Sequence, residues 1–181
     1  VPVVYLDPDL LFLRPMHALR SGFAEGHELI LTPHTLAPLD DGYDPDDRCL
    51  MQTGAYNLGF AALRSSPATH NLLDWWADHM RTRCLSDLPG GLFVDQKFMD
   101  MAPAFVERTK ILRDRGYNAA YWNLHERPIT RSENGAWFAG DDPLVFFHFS
   151  GVDRSDRNTV SRHQNRHGID TVGPLADLLE T

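Results

Sequence analysis

The sequence predicts an α/β fold with a largely parallel sheet flanked by helices. Three observations predict it. Short apolar runs of strand length alternate with segments of helical spacing along the chain. Some runs, Tyr56 to Leu63 and Leu144 to Phe149 among them, are apolar almost throughout, as buried parallel strands are. No internal repeat or low-complexity tract interrupts the pattern. The 181 residues read as a single domain, with a core over 1–151 and a tail over 152–181.

The elements follow in order. Val1-Pro2-Val3-Val4-Tyr5-Leu6 opens the chain without an initiator Met and reads as a buried strand. Such a strand needs sheet neighbours, so the sequence is expected to be a fragment of a longer domain. Leu10 to Leu13 continues as a short apolar strand, stopped by Pro15. Met16 to Ala24 fits a short helix closed by Gly26, and Glu28 to Thr32 a strand stopped by Pro33. Asp40 to Arg48 is an acidic loop, expected to be a mobile flap; it lacks the spacing of an EF-hand. After the strand at Tyr56 to Leu63, Ser66 is a good helix N-cap with Pro67 at the first helical position. Leu72, Leu73, Trp76 and Met80 then recur at helical spacing, as a core stripe. Leu88 to Gly91 is a loop, and Asp95 caps a short helix to about Met101. Thr109 to Leu112 is a strand, Ile129 to Phe138 a hairpin turning at Asn134-Gly135, and Val172 to Leu179 a terminal helix.

Composition excludes some functions. The formal net charge is −8, and the densest basic stretch, Arg154 to Arg166, is diluted by Asp and Ser. A nucleic-acid partner is therefore not expected, because phosphate neutralisation by clustered Lys and Arg drives such binding. A small phosphorylated substrate remains compatible through a divalent cation. No apolar run approaches the roughly 20 residues of a membrane span. No signal peptide is visible, so a cytoplasmic location is the default expectation. Cys49 and Cys84 show no CxxC spacing and read as reduced thiols.

The chemistry starts at Asp7-Pro8-Asp9, directly after the first strand. Ligands in α/β sheets bind beyond the carboxyl ends of strands. Two carboxylates one residue apart there suit a hard cation such as Mn²⁺ or Mg²⁺, which also takes phosphate oxygens. A solvated Asp-Pro turn is the plain alternative. His148 ends the apolar strand Leu144 to His148 and could add an imidazole ligand or be a structural histidine. Gly151 lets backbone approach a phosphate or is a turn glycine. Asn57 and Gly59, Asp95 and Gln96, and Asn118 and Asn123 around Ala119-Ala120-Tyr121-Trp122 place polar groups in apolar surroundings, as sugar sites do.

Tyr5-Leu6-Asp7-Pro8-Asp9 resembles the strand-plus-DxD signature of GT-A glycosyltransferases. The later pieces keep the order seen in family-8-like enzymes and their bacterial relatives: Asn57-Leu58-Gly59-Phe60, Asp95-Gln96, Tyr121-Trp122-Asn123 and His148-Phe149-Ser150-Gly151. The resemblance implies a GT-A-like fold and transfer of a sugar from a nucleotide-sugar donor to a glycan, lipid or small-molecule acceptor. It implies Asp7, Asp9 and His148 as ligands of Mn²⁺ or Mg²⁺. It places Asn57, Gly59, Asn123 and Gly151 along the donor, and Asp95 and Gln96 at the reacting face of the sugar. The chain departs from family 8 after Gly151, where Val152-Asp153-Arg154 replaces the expected Lys; Arg154 or Arg157 could substitute, and His163 could approach a phosphate. The nucleoside-binding strands that precede the DxD strand in GT-A enzymes are absent from the sequence, so the isolated chain is expected to be weak or inactive. Two alternatives stand beside this reading. One is a non-catalytic carbohydrate-binding domain of the same fold. The other is a DxD phosphotransferase or phosphatase with an Asp nucleophile, disfavoured because Leu10 to Leu13 continues as strand rather than opening into a helix.

Overall fold

The computed structural model describes residues 1–153, 155–156 and 158–179. In chain order the elements are β1 (Pro2–Leu6), β2 (Leu10–Phe12), α1 (His17–Ala24), β3 (Leu29–Pro33), α2 (Asp47–Thr53), β4 (Tyr56–Arg64) and α3 (Pro67–Arg83). A two-residue hairpin follows, β5 (Ser86–Asp87) and β6 (Leu92–Phe93), then a 3₁₀ turn (Gln96–Met101), α4 (Ala102–Phe105) and β7 (Thr109–Ile111). A 3₁₀ turn at Tyr121–Asn123 leads to β8 (Ile129–Arg131), β9 (Trp137–Ala139), β10 (Asp142–Pro143) and β11 (Phe146–His148). Another 3₁₀ turn (Ile169–Thr171) and α5 (Leu175–Leu179) complete the mixed α/β architecture. The chain divides into two compact units. The first comprises Val1–Asp7, Met16–His34 and Leu50–Leu112; the second comprises Pro8–Pro15, Thr35–Cys49 and Arg113–Thr181.

The first unit is built on a four-stranded sheet in the order β1-β4-β3-β7. The expected largely parallel sheet is corrected here: β1–β4 and β3–β4 pair antiparallel, and only β3–β7 pair parallel. β1, β3 and β7 do share one direction, but the reversed β4 lies between β1 and β3. Side-chain periodicity reports that a strand exists, not which way its neighbour runs. β1 is also not the buried strand its composition suggests. It lies at the sheet edge, with Val3 64% and Tyr5 53% exposed. β3 is buried along Leu29–Thr32, as its unbroken apolar run predicts.

α3 forms where the sequence signals place it. Ser66 accepts from the Thr69 amide at 3.2 Å, and Thr69 Oγ1 accepts in return from the Ser66 amide at 3.0 Å. Arg81 and Arg83 occupy the last turn, where cations suit the helix dipole. Leu72 is buried against Leu29, Leu31, Leu58 and Met99, with Trp75 and Trp76 beside them. Leu73, expected in the stripe, is 37% exposed. Ser66→Ala is expected to lower stability by about 1 kcal/mol through loss of the cap, read as a lower midpoint in thermal unfolding.

The second unit holds the β10-β9-β8 meander and the β2–β11 ladder, both antiparallel. Leu10–Phe12 is thus a strand, not a helix entry. Leu124, Ile129, Leu144, Phe147, Val160, Leu175 and Leu178 form its core, so residues beyond 151 supply part of its interior. Burying side chains of this size contributes roughly 1.5–3 kcal/mol each. The acidic loop is shorter than expected, because α2 already begins at Asp47. It is also tethered. Arg166 Nε and Nη2 donate to the two Asp41 carboxylate oxygens at 2.7 and 2.8 Å, and Nη2 donates to the Tyr43 and Pro45 carbonyls. That guanidinium holds the Asp41 carboxyl well below the usual carboxylate range.

Burial lowers the pKa of both His125 and His167 below the ordinary value of 6.5. For His125, Glu126, the Ala37 carbonyl and Asp41 oppose that shift and Arg166 reinforces it. For His167, Arg166 and His125 reinforce it and Asp41 opposes it. The unfolded chain therefore takes up protons first as pH falls. The stability held above the unfolded value is lost progressively below about pH 6.5 and levels off once the folded histidines also titrate. The thermal midpoint is expected to drop between about pH 7.5 and pH 5.5, and His125→Gln/His167→Gln should flatten that drop.

Candidate functional site

In the second unit, residues far apart in sequence meet at the β2–β11 ladder. His148 pairs with Leu10 in register, and the Phe149 amide donates to the Asp9 carbonyl at 2.9 Å. This register sets Asp9, one residue before β2, beside the end of β11. His148 Nε2 lies 3.1 Å from Asp9 Oδ1. The His148 side chain is 4% exposed and that of Asp9 43% exposed, so a buried imidazole meets an open carboxylate. The other ring nitrogen, Nδ1, lies 3.1 Å from Asn118 Oδ1. Trp122 packs edge-on against the imidazole, centroids 5.2 Å apart at 86°.

Asn118 reaches His148 because its segment runs beside β11. The Val145 and Phe146 amides donate to the Gly116 carbonyl, and the His148 amide donates to that of Ala119 at 2.8 Å. Gly116 permits this approach: a Cβ there would sit 2.0 Å from the Pro143 carbonyl oxygen. Asn123, expected on the donor, is fully buried. Its Oδ1 accepts from the Ala120 amide and its Nδ2 donates to the Asn118 carbonyl, so it ties this turn together.

Asp7 is the last residue of the first unit. Its amide donates to the Gly59 carbonyl at 3.0 Å, which gives Gly59 a backbone role at the end of β1, and Tyr5 Oη donates to its carboxylate at 2.8 Å. Only Pro8 separates it from Asp9.

Asn57 and Gln96 form a buried amide pair in the first unit. Gln96 Oε1 accepts from Asn57 Nδ2 at 3.2 Å and from the Leu58 amide at 3.1 Å, while Gln96 Nε2 donates to the Thr53 carbonyl at 3.0 Å. Asn57 Oδ1 accepts from the Gly59 amide, and Asn57 Nδ2 lies 3.3 Å from His34 Nε2. These amides join β4 to the 3₁₀ turn. Gln96→Leu would leave the buried Leu58 amide without this acceptor, at a cost of roughly 1–3 kcal/mol, measurable by denaturant unfolding.

Asp95 precedes that turn, but its side chain makes no capping bond, which corrects the expected cap. Its carbonyl accepts from Trp76 Nε1 at 3.0 Å. Val94 beside it has φ of +41°, strained for a β-branched residue. Such strain persists only where the surrounding structure enforces it, and it is most frequent at functional sites.

Gly151 sits in a tight turn. It has φ of +70°, and a Cβ there would lie 2.2 Å from His163 Cδ2 and 2.6 Å from Ser161 Oγ. It allows a close approach of Ser161 and His163. His163 is exposed, its ring 6.2 Å from that of Tyr121. Arg154 and Arg157 lie outside the described residues. The first unit also has an open cavity of about 330 Å³ with a mostly apolar surface, lined by Val3, Tyr5, Leu31, Leu63 and Trp76 and also by Arg64 and His70.

The relation between Asn118 and His148 was not legible from sequence, although Gly116 just before it is the residue that permits a close backbone approach. Nor was the buried ion pair of Glu126 and Arg127, adjacent residues with side chains 5% and 1% exposed.

No protein-family model and no solved structure matches the chain. It is similar to two uncharacterized proteins of Bacillus subtilis (strain 168). YfnF is 23% identical over 151 residues, covering 82% of this chain and 49% of YfnF. YfnD is 26% identical over 151 residues, covering 81% of this chain and 45% of YfnD. The chain spans about half the length of these curated relatives. No described helix is long and apolar enough to cross a membrane.

Proposed function

We propose that this chain carries the metal-binding part of a glycosyltransferase of GT-A type that uses a nucleotide-sugar donor. The observation that carries the reading is the approach of His148 Nε2 to Asp9 Oδ1 at 3.1 Å, with Asp7 directly after the last residue of β1, Leu6. A carboxylate open to solvent beside a buried imidazole suits Mn²⁺ or Mg²⁺ that must also reach phosphate. Asp7, one proline away, is the third ligand in this reading. When bound, the cation supplies positive charge against the diphosphate that leaves as the glycosidic bond breaks. Asp9 and His148 hold that charge in place, and burial of His148 keeps its ring from reorienting. Asp95, after the strained Val94, is the residue proposed at the reacting face of the sugar. The amides of Gln96 and Asn57 support its turn.

The test is thermal stabilisation of the chain by nucleoside diphosphates and nucleotide-sugars, with and without Mn²⁺. Stabilisation that requires metal and diphosphate together, and that vanishes in Asp7→Asn/Asp9→Asn, is the expected result and names the donor class. Stabilisation by sugars regardless of metal favours the non-catalytic carbohydrate-binding alternative. No stabilisation by any of these ligands overturns the proposal.

A further inference from the structure

We propose that Asn118 is a positioning residue that fixes the tautomer of His148. The inference rests on the metal-binding reading above and deepens it. Asn118 Oδ1, an acceptor only, lies 3.1 Å from His148 Nδ1. A proton on Nδ1 satisfies this contact, and a cation between Nε2 and Asp9 would then meet the Nε2 lone pair. A histidine that ligates a metal through one nitrogen commonly donates the other N–H to such a partner, and the partner sets ring orientation and basicity.

The surroundings of Asn118 make it a fixed acceptor. Its side chain is fully buried. Its backbone has φ of +56°, a conformation that Asn tolerates better than most residues. Its carbonyl accepts from Asn123 Nδ2 at 3.0 Å, and Asn123 Oδ1 accepts from the Ala120 amide at 2.9 Å. The His148 amide donates to the Ala119 carbonyl, so the two segments are held next to each other by backbone. Trp122 stands edge-on to the imidazole and limits its rotation. With the amide turned the other way, Asn118 would donate to Nδ1, and Nε2–H would donate to Asp9. That arrangement leaves no lone pair for a cation, so the two orientations make opposite predictions.

Asn118→Gly is the informative variant, because glycine accepts the positive φ and loses only the side chain. Asn118→Asp keeps an acceptor oxygen and tolerates the same backbone. Long-range ¹⁵N–¹H correlation spectra of the metal-free chain, at about pH 8 where histidines are ordinarily neutral, report the His148 tautomer. Mn²⁺ titration reports affinity. The wild type is expected to show the Nδ1–H form. Asn118→Gly should show a mixture of tautomers and a roughly 10–100-fold weaker Mn²⁺ affinity, and Asn118→Asp should restore both. Nε2–H in the wild type overturns the proposal. So does Mn²⁺ binding by Asn118→Gly as tight as that of the wild type, which leaves the metal reading standing. A wild type in the Nδ1–H form that binds no Mn²⁺ removes the metal reading and leaves the role of Asn118 in fixing the ring intact.

Discussion

His148→Ala is expected to weaken Mn²⁺ binding by more than about 100-fold, beyond the roughly 10–100-fold that loss of an outer partner costs. The imidazole is the one proposed ligand that is buried, with its side chain 4% exposed. Its orientation is set by contacts on two sides, Asn118 and Trp122. A water that replaced it would have to be ordered afresh, and Asp9, 43% exposed, would be left as a solvated carboxylate. Asp9→Asn should have an effect of similar size, because an amide oxygen offers a cation far less charge. His148→Gln separates ligation from folding: it keeps most of the volume, so its thermal midpoint should stay near wild type while Mn²⁺ affinity still falls. Isothermal titration calorimetry reads the Mn²⁺ affinity of all three variants. Affinity unchanged in His148→Ala would remove His148 from the metal centre.

Glu126→Ala is expected to destabilise the second unit by about 3–5 kcal/mol, the usual cost of leaving a buried charge unpaired. Arg127 has a side chain only 1% exposed, and burial lowers its pKa, with Glu126 the main opposing influence. Glu126 Oε1 accepts from Arg127 Nε at 3.2 Å and from the Leu36 amide at 2.7 Å. Arg127 Nη1 in turn donates to the Tyr117 carbonyl at 3.0 Å. The pair thus joins the segment before Leu39 to the one that carries Asn118. An apolar replacement of both, Glu126→Leu/Arg127→Met, should recover part of the loss, because neither charge is then left alone. Full recovery is not expected, since the Leu36 amide and the Tyr117 carbonyl also lose their partners. Denaturant unfolding of the single and double variants measures the difference. A loss below about 1 kcal/mol in Glu126→Ala would mean that water reaches Arg127.

Local signals were legible where one segment decides its own structure. Ser66-Pro67 announces α3, the run from Leu29 marks β3, and Asn134-Gly135 turns the β8–β9 hairpin. Asp9 and His148 stood out as ligand types at strand ends, and the register of β2 against β11 does bring them together. What could not be read depends on partners distant in sequence. The direction of β4 between β1 and β3 is a property of the sheet, not of its residues. Gln96 and Asn57 looked like sugar-binding amides because they are polar in apolar surroundings. The same description fits amides that saturate buried backbone groups, and their hydrogen bonds show that use. Gly151 suits a tight approach in either reading; which atoms come close depends on Ser161 and His163. Arg166 offered no local sign that it would secure Asp41.

Neither unit is a continuous stretch of chain, and this bears on how the protein is made. Residue 12 waits for residue 146 before β2 has its ladder, and residues 29–31 wait for 109–111. On a ribosome that delivers the chain from its N-terminus, Asp9 emerges before His148 and meets it only once the residues between them are out. Contacts of such long sequence separation close late and leave apolar segments uncovered in the interval. Contiguous truncations should for the same reason misrepresent both units: a piece that stops at residue 112 has the strands of the first sheet but none of those that answer β2.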